Sequence, residues 1–227
     1  MKMRIPDVYF CAGDNRRWAQ IAIDKGIKYG SQLPNRVHFA IEFADQNWQN
    51  PQFDAYMSAL EQHRPHMATV LDWERYEQFE DVMNWAEEAA RFVEIVVIIP
   101  KLHNVMRMIP LRVGKADVRI GVPCGPYSWQ RPAIWEYERR ECHLLGGSPQ
   151  QQMKDARYLN AASVDCSQIA SMARRFCSFW SPHRVFGAKR RWWVQLSEIG
   201  RGDVEDAPYV AFEMSCQTTL QAWQGGL

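Results

Sequence analysis

The sequence has no Cys-x-x-Cys pair, no long apolar run and no excess of one charge. Its six cysteines follow no regular spacing, so we expect reduced thiols in a cytosolic compartment rather than a disulfide framework. The first residues, MKMRIPDVYFCAG, contain no apolar stretch typical of a secretion signal. The most apolar run, Val93 to Pro100, is about eight residues long where a bilayer needs roughly twenty. The expectation is a cytoplasmic protein without a membrane partner.

Charge and composition describe a globular chain. The 27 basic and 26 acidic residues leave a net charge of +1, so any site for a polyanion must be a local patch. In 227 residues, 47% apolar content is enough for one large core or two small ones. Ten Trp and eight Tyr suit stacking on bases, and they suit ordinary packing equally well.

Short apolar runs alternate with segments of helical spacing. The runs predict eight strands, at 8–11, 26–30, 37–43, 67–71, 94–99, 118–122, 142–145 and 161–164. The intervening segments predict helices at 15–25, 51–63, 76–92, 103–113, 150–159 and 167–176. We therefore predict an α/β fold, a compact (β/α)8 barrel over residues 1–176, with a doubly wound open sheet as the alternative. Residues 177–227 show no convincing further β-α unit and are expected to form a basic, aromatic extension packed on the barrel.

Carboxylates follow three of the predicted strands. Asp45, Asp72 and Asp165 come at or near strand ends, which meet on one rim in either fold. A single Asp there is more often a helix cap or turn former. Three together favour chemistry at an anomeric carbon, where one carboxylate attacks or stabilises and another moves a proton. A divalent metal is the weaker alternative, because no His or second carboxylate stands at ligand spacing; we expect no metal.

Glycine turns follow two further strands. The segment from His143 to Pro149 runs from a strand into Gly146 and Gly147 at the head of a helix, and GVPCG contains Gly121. Backbone amides in such turns can cradle a phosphate or lie against a flat base. Taken alone this is a weak signal, since a Gly-Gly turn needs no ligand.

Four segments together resemble a known family. HLLGGSPQQQ, SVDCSQIASMARR, ATVLDWE and FAIEFADQNW resemble segments of the tRNA-guanine transglycosylases, and more closely of the shorter DpdA-type DNA-guanine transglycosylases of phages and bacteria. The resemblance covers residues 8 to about 176. It implies that Asp165 is the nucleophile, that Asp72 recognises the guanine edge, and that Asp45 is the second acid/base, or Glu42 if the register differs.

The resemblance also implies a set of substrate-binding residues, and the sequence departs from the family's pattern at three places. The set is Glu42, Lys101, Gly121, Cys124, His143, Gly146 and Gly147. The family's Asp-Ser-Gly-Gly turn is not reproduced after Asp45, and Pro100-Lys101 stands where the tRNA enzymes have a base-binding Gln. The zinc-binding cysteine spacing of the tRNA enzymes is also missing. These differences favour a DNA enzyme.

The implied reaction is base exchange without a cofactor. Asp165 attacks C1′ of a guanine nucleotide, guanine leaves, and a 7-deazaguanine such as 7-cyano-7-deazaguanine replaces it. A duplex guanine must first be flipped out, or the target must be single-stranded. The implied partners are DNA, the free 7-deazaguanine base and, by analogy with the family, a second copy of the chain. A phage-encoded enzyme would act in the host cytoplasm.

A basic and aromatic segment is the expected DNA contact. Cations that would contact phosphates lie among aromatic residues that could stack on displaced bases: Arg174, Arg175, Arg184, Lys189, Arg190 and Arg191. A solvated charge run beside a hydrophobic anchor is the alternative. Three other functions stay open: a tRNA-guanine transglycosylase, a glycosidase or nucleoside hydrolase that uses water as acceptor, and a non-catalytic nucleic-acid-binding barrel.

Overall fold

Eight parallel strands close into a barrel in the computed structural model, which describes residues 4–11, 15–125, 131–137, 139–182 and 192–225. In chain order the strands are β1 (Asp7–Cys11), β2 (Lys28–Leu33), β3 (Phe43–Gln46), β4 (Met67–Thr69), β5 (Ile95–Ile98), β6 (Arg112–Val113), β7 (Ala116–Pro123), β8 (Glu141–Leu145) and β9 (Asn160–Asp165). All except β6 belong to the barrel. Pairing of β5 with β7 and of β9 with β1 closes it, while β6 only pairs antiparallel with β7. The predicted (β/α)8 fold is confirmed, and the open sheet is wrong.

Helices cover the outside of the barrel. They are α1 (Arg16–Asp24), α2 (Phe53–His63), α3 (Phe79–Ala89), α4 (Pro149–Ala156), α5 (Ser167–Phe176) and α6 (Ala207–Gly225). The side chain of Asn15 caps α1 by accepting from the N–H groups of Arg17 and Trp18. Ser148 caps α4 in the same way, with Pro149 in the first turn. These caps fix where each helix starts, close to the end of the preceding strand.

The core has an inner and an outer part. Inside the barrel, Tyr9, Phe43, Met67, Val97 and Ile99 pack together. Between the strands and the helices lies a larger apolar layer. Because strand residues alternate between the two faces, each strand contributes to both layers. The inner cluster fills the barrel beneath the carboxyl ends of the strands, so a site can form only at the rim.

Two predicted elements differ from the structure. Residues 103–111 form turns and irregular backbone rather than a helix, with Asn104 at φ 62° and Pro110 lacking an N–H, and Arg112–Val113 form β6. Val105, Met106 and Ile109 are nevertheless buried, which explains the helical spacing. The predicted strand 37–43 is also shifted, because β3 begins at Phe43.

The tail contains regular structure that we did not expect. Strands β10 (Ser178–Trp180) and β11 (Trp193–Gln195) pair antiparallel, and α6 packs against α1 and α5. The ring of Phe212 on α6 lies 4.7 Å from Phe10 and 4.6 Å from Trp18, centroid to centroid. The sequence did not indicate this helix, because the buried face of α6 includes Ser215 and Thr219 and so gives no apolar stripe.

No helix within the described ranges is long and apolar enough to span a bilayer. All six cysteines lie in those ranges, and all six are free thiols.

Candidate active site

A cavity of about 330 Å³ opens at the carboxyl ends of the barrel strands. Loops and strand ends from β3, β4, β5, β7, β8 and β9 form its wall. The lining residues are Asp45, Gln46, Trp48, Thr69, Val70, Asp72, Glu74, Ile99, Lys101, Pro123, Gly125, Leu145, Gly146, Gly147 and Asp165. The structure therefore brings all three predicted carboxylates into one cavity, together with Lys101 and both glycines of the turn after β8.

Asp45 lies within β3, not after it, and is held by Thr69. The Thr69 hydroxyl donates to Asp45 Oδ1 over 3.0 Å and accepts from the N–H of Gln46 over 2.7 Å. Parallel pairing of β3 with β4 places these residues side by side. One hydroxyl thus fixes both the Asp45 carboxyl group and the backbone beside it.

Asp165 ends β9 just before α5. Its Oδ1 accepts from the N–H of Ser167 over 3.2 Å, at the positive end of the helix. The Gln152 carboxamide donates to the Asp165 carbonyl and, over 2.8 Å, to the Gly146 carbonyl. The residue is only 7% exposed. Its backbone is therefore held on both sides, and its carboxyl group faces the cavity.

Burial raises the pKa of both Asp45 and Asp165 to about 7. For Asp165 the negative charge of Asp45 adds to this rise, and the Ser167 N–H opposes it. For Asp45 the Thr69 hydroxyl opposes the rise, and the charge of Asp72 adds to it. Near neutral pH one carboxyl group can therefore be ionised while the other carries a proton, which is the arrangement that nucleophile and acid pairs require.

Asp72 forms an ion pair with Lys101. The ammonium group lies 2.8 Å from Asp72 Oδ2 and 2.6 Å from Glu74 Oε1. Backbone bonds from Trp73 N–H to the Ile99 carbonyl and from Lys101 N–H to the Trp73 carbonyl bring the two segments together. Burial raises the pKa of Asp72, and the hydrogen bond and charge of Lys101 oppose that rise. Lys101 therefore favours the ionised, hydrogen-bond-accepting form of Asp72.

The turn after β8 requires glycine at Gly147. Both Gly146 and Gly147 have left-handed φ values, 60° and 76°. A Cβ on Gly147 would lie 2.4 Å from the Cys124 carbonyl oxygen, whereas one on Gly146 would meet nothing within 4 Å. The turn is thus packed against the β7 loop at Gly147 and open at Gly146.

Substitution of these two glycines separates backbone strain from steric conflict. We expect Gly146→Ala to cost about 1–2 kcal/mol, the price of one left-handed Ala. Gly147→Ala should cost clearly more, because the turn must also move away from Cys124. Urea unfolding of both variants measures the difference. Equal costs would show that the close approach of the two loops does not constrain the turn.

Thr69 gives a test of the electrostatics at Asp45. Thr69→Val removes the hydroxyl while keeping the shape, so the pKa of Asp45 should rise above about 7. Thr69→Ser keeps the hydroxyl and should leave that pKa close to the wild-type value. Carboxyl-carbon NMR titration of the two variants measures it. An unchanged pKa in Thr69→Val would contradict the hydrogen bond described above.

Four residues of the predicted site lie outside the cavity. Glu42 lies at the opposite end of the barrel, before β3, in an ion pair with Lys28, so a shifted register cannot bring it to the site. The space beside the Gly121 Cα is filled by Ile99 and neighbouring side chains, which makes its role one of packing.

The other two of these four residues, Cys124 and His143, are buried in the protein. The Cys124 thiol donates to the Val122 carbonyl over 3.4 Å, and burial raises its pKa. His143 is fully buried, with Nδ1 2.7 Å from the Ser163 hydroxyl. Burial, with a contribution from Arg119, lowers its pKa to about 3, so the ring is neutral. Neither side chain lines the cavity.

The predicted DNA contacts are not at the cavity mouth where the structure describes them. Arg174 and Arg175 lie in the last turn of α5, about 11 Å along the helix axis from its start next to Asp165. The Arg174 guanidinium lies 5.9 Å from the centre of the Trp18 ring. The other four cations, Arg184, Lys189, Arg190 and Arg191, lie outside the described residues.

Several cavity residues were not predicted. Thr69, Gln46 and Glu74 contact or flank the predicted carboxylates, and Trp48 lies 5.3 Å from the Lys101 ammonium. Cys11 lies close enough to Asp45 and Asp165 for their charges to add to the burial that raises its pKa. Only their position next to a strand end could have indicated them. In the described part of the chain, no three His, Cys, Asp or Glu residues are grouped to hold a metal ion.

Comparisons with other proteins give a family but no activity. DUF6610, described as a family of unknown function, matches residues 21–223. No curated protein matches the chain. Among solved structures, a phosphoribosyl anthranilate isomerase bound to reduced 1-(o-carboxyphenylamino)-1-deoxyribulose 5-phosphate is similar at 12% identity and a TM-score of 0.38. That alignment covers 94% of this chain and 98% of the isomerase.

Proposed function

The chain belongs to the DUF6610 family of unknown function, and from its own cavity we propose that it is a transglycosylase that replaces guanine in DNA with a 7-deazaguanine. The observation that supports this most is the pair Asp45 and Asp165, two carboxyl groups in one cavity, each with a pKa raised to about 7. Such a pair can supply an ionised nucleophile and a protonated acid at the same pH. The sequence resemblance supports the choice of reaction.

In the proposed first step, ionised Asp165 attacks C1′ of the target nucleotide. A bond forms between its carboxylate oxygen and C1′ while the bond from C1′ to guanine N9 breaks. Protonated Asp45 gives its proton to the departing guanine. Thr69, which donates to Asp45 Oδ1, then stabilises the carboxylate that remains. The products of this step are free guanine and a covalent glycosyl enzyme.

In the second step the incoming base reverses these events. N9 of the 7-deazaguanine attacks C1′, its proton passes to Asp45, and Asp165 leaves as a carboxylate. Protons and electrons balance over the two steps, so no external energy source or redox partner is required. Asp45 acts as acid in one direction and as base in the other, which suits a pKa of about 7.

We propose that the base is recognised at the wall of the cavity that contains Asp72 and Lys101. Ionised Asp72 would accept from the N–H and amino groups of the purine, while Lys101, 2.8 Å away, holds it in place. Gly146 and Gly147 form a flat wall against which the ring or sugar-phosphate can lie. The site lies inside the barrel rim, so a guanine of a duplex must be flipped out to reach it.

Exchange of radiolabelled guanine into guanine-containing DNA tests this function. We expect stable label in the DNA with the wild-type chain, and release of that label when 7-cyano-7-deazaguanine is added. Abasic sites without incorporated label would identify a glycosidase that uses water. DNA binding with neither product would identify a non-catalytic barrel. Label entering tRNA but not DNA would identify an RNA substrate.

A further inference from the structure

A second cavity lies beside the active site and is lined mainly by carboxamides. Its volume is about 220 Å³, and its lining residues are Leu33, Pro34, Asn35, Gln46, Asn47, Asn50, Gln52 and Tyr56. Five of these eight side chains are Asn or Gln, and none is charged. We refer to it as the amide cavity. Its chemistry differs from that of the active site, which is formed by carboxylates and Lys101.

Gln46 belongs to the walls of both cavities. Asp45 faces the barrel interior, so the next residue on the strand faces outward, toward α2. The Gln46 side chain is only 3% exposed, and both Nε2 and Oε1 are buried without a hydrogen-bond partner in the part of the chain that the structure describes. A buried carboxamide in this state lacks the partners that such groups normally have.

The opposite wall is the start of α2. This 11-residue helix begins at Phe53, and its N-cap Gln52 makes no side-chain hydrogen bond to the first turn. First-turn N–H groups therefore add donors to this wall. The Tyr56 hydroxyl is already engaged, because it donates to the Thr69 carbonyl over 2.7 Å. Through Thr69, this wall is connected to Asp45 in the active site.

We propose that the amide cavity binds the nucleobase next to the guanine that is exchanged. Carboxamides pair a donor with an acceptor, as the edges of bases do. A lining without Lys or Arg does not suit a phosphate, which is the group that cations usually contact. The volume is below the 300–1,000 Å³ typical of small-molecule pockets, which fits one ring system. Rotation of the Gln46 side chain brings its carboxamide to the bound base. This proposal rests on the proposed function, because it assumes a nucleic-acid substrate.

Binding of short single-stranded DNA tests the proposal without turnover. The probes contain one guanine, with a thymine or an abasic residue on its 5′ or 3′ side, and fluorescence anisotropy gives their affinity for the full chain. For the wild type, we expect loss of one neighbouring base to weaken binding about tenfold or more. Asn50→Ala should remove this difference in affinity between probes with and without the neighbouring base. Asn84→Ala, at an exposed Asn on α3 outside both cavities, should keep it.

A substitution at Gln46 gives an independent readout. Gln46→Met keeps the length of the side chain and removes the unpartnered carboxamide, so we expect a higher midpoint of thermal unfolding together with loss of the neighbouring-base effect. A lower midpoint with an intact neighbouring-base effect would overturn the role of Gln46. A merely structural role would not change the dependence on the neighbouring base.

The possible outcomes separate this proposal from the proposed function. If the wild type exchanges bases but binds all probes equally, the amide cavity proposal is wrong and the transglycosylase proposal stands. If Asn50→Ala removes the neighbouring-base effect while no label enters DNA, the cavity binds a base of single-stranded DNA and the transglycosylase proposal is wrong. If Asn50→Ala and Asn84→Ala behave alike, the amide cavity proposal is also wrong.

Discussion

Asp165→Asn is expected to abolish the proposed base exchange, with a loss of about 10⁴-fold or more. Asn keeps the size of the side chain, but it has no anionic oxygen that could bond to C1′. Because the proposed covalent step depends on that oxygen, the loss should appear in kcat rather than in DNA binding. Incorporation of radiolabelled guanine into DNA measures the rate, and fluorescence anisotropy with the same DNA measures the binding.

A matched control excludes a general effect of removing a carboxylate. Asp117 lies near the start of β7, with its side chain 74% exposed in an ion pair with Arg112, and Asp117→Asn should leave exchange at the wild-type rate. If Asp165→Asn kept substantial exchange, Asp165 would not be the nucleophile. Asp45→Asn would then be the next variant to test for covalent chemistry.

The same substitution should stabilise the protein at high pH. In the folded state the pKa of Asp165 is raised from the usual 3.8 to about 7, so the folded chain holds this proton more tightly than the unfolded chain. Stability is therefore unaffected below about pH 4, falls as the pH rises from about 4 to 7, and stays reduced above that. Asn cannot ionise. We expect Asp165→Asn to gain on the order of 2–4 kcal/mol over the wild type at pH 8, and almost nothing at pH 4.

Urea unfolding of wild type and variant across pH 4 to 8 measures this effect. The difference in free energy of unfolding between the two proteins reports the ionisation of Asp165 together with its coupling to Asp45. It should grow with pH and level off above pH 7. A constant difference, or one that shrinks with pH, would contradict the raised pKa. Together, lost activity and gained stability would mark Asp165 as a group kept for function at a cost in stability.

The sequence predicted the barrel because buried parallel strands are recognisable without any partner. Runs such as IVVIIP are apolar on both faces, and parallel strands covered by helices have that pattern. It predicted α5 with its observed bounds, Ser167–Phe176. Helix α6 could not be recognised, since its buried face includes Ser215 and Thr219. The Ser215 hydroxyl accepts from the Trp180 N–H, a contact that forms only after tertiary packing.

Part of the candidate site could also be predicted, because the apolar strands are recognisable in the sequence. Asp72 and Asp165 follow or end apolar strands, so the barrel alone brings them to one rim. The choice between Asp45 and Glu42 needed the strand register, which depends on pairing with β2 and β4. Placement of β3 at Phe43–Gln46 puts Asp45 in the cavity and Glu42 at the other end of the barrel. The contact of Thr69 with Asp45 joins residues 24 positions apart, and no local pattern indicates it.

The most direct test of the central claim is a denaturing mass spectrum of the protein after incubation with guanine-containing DNA in the absence of a free acceptor base. We expect a covalent adduct with the mass of the DNA less guanine, mapped by peptide digestion to Asp165, and lost when 7-cyano-7-deazaguanine is added before denaturation. An adduct at another residue, or no adduct under conditions in which label is exchanged into the DNA, would contradict it.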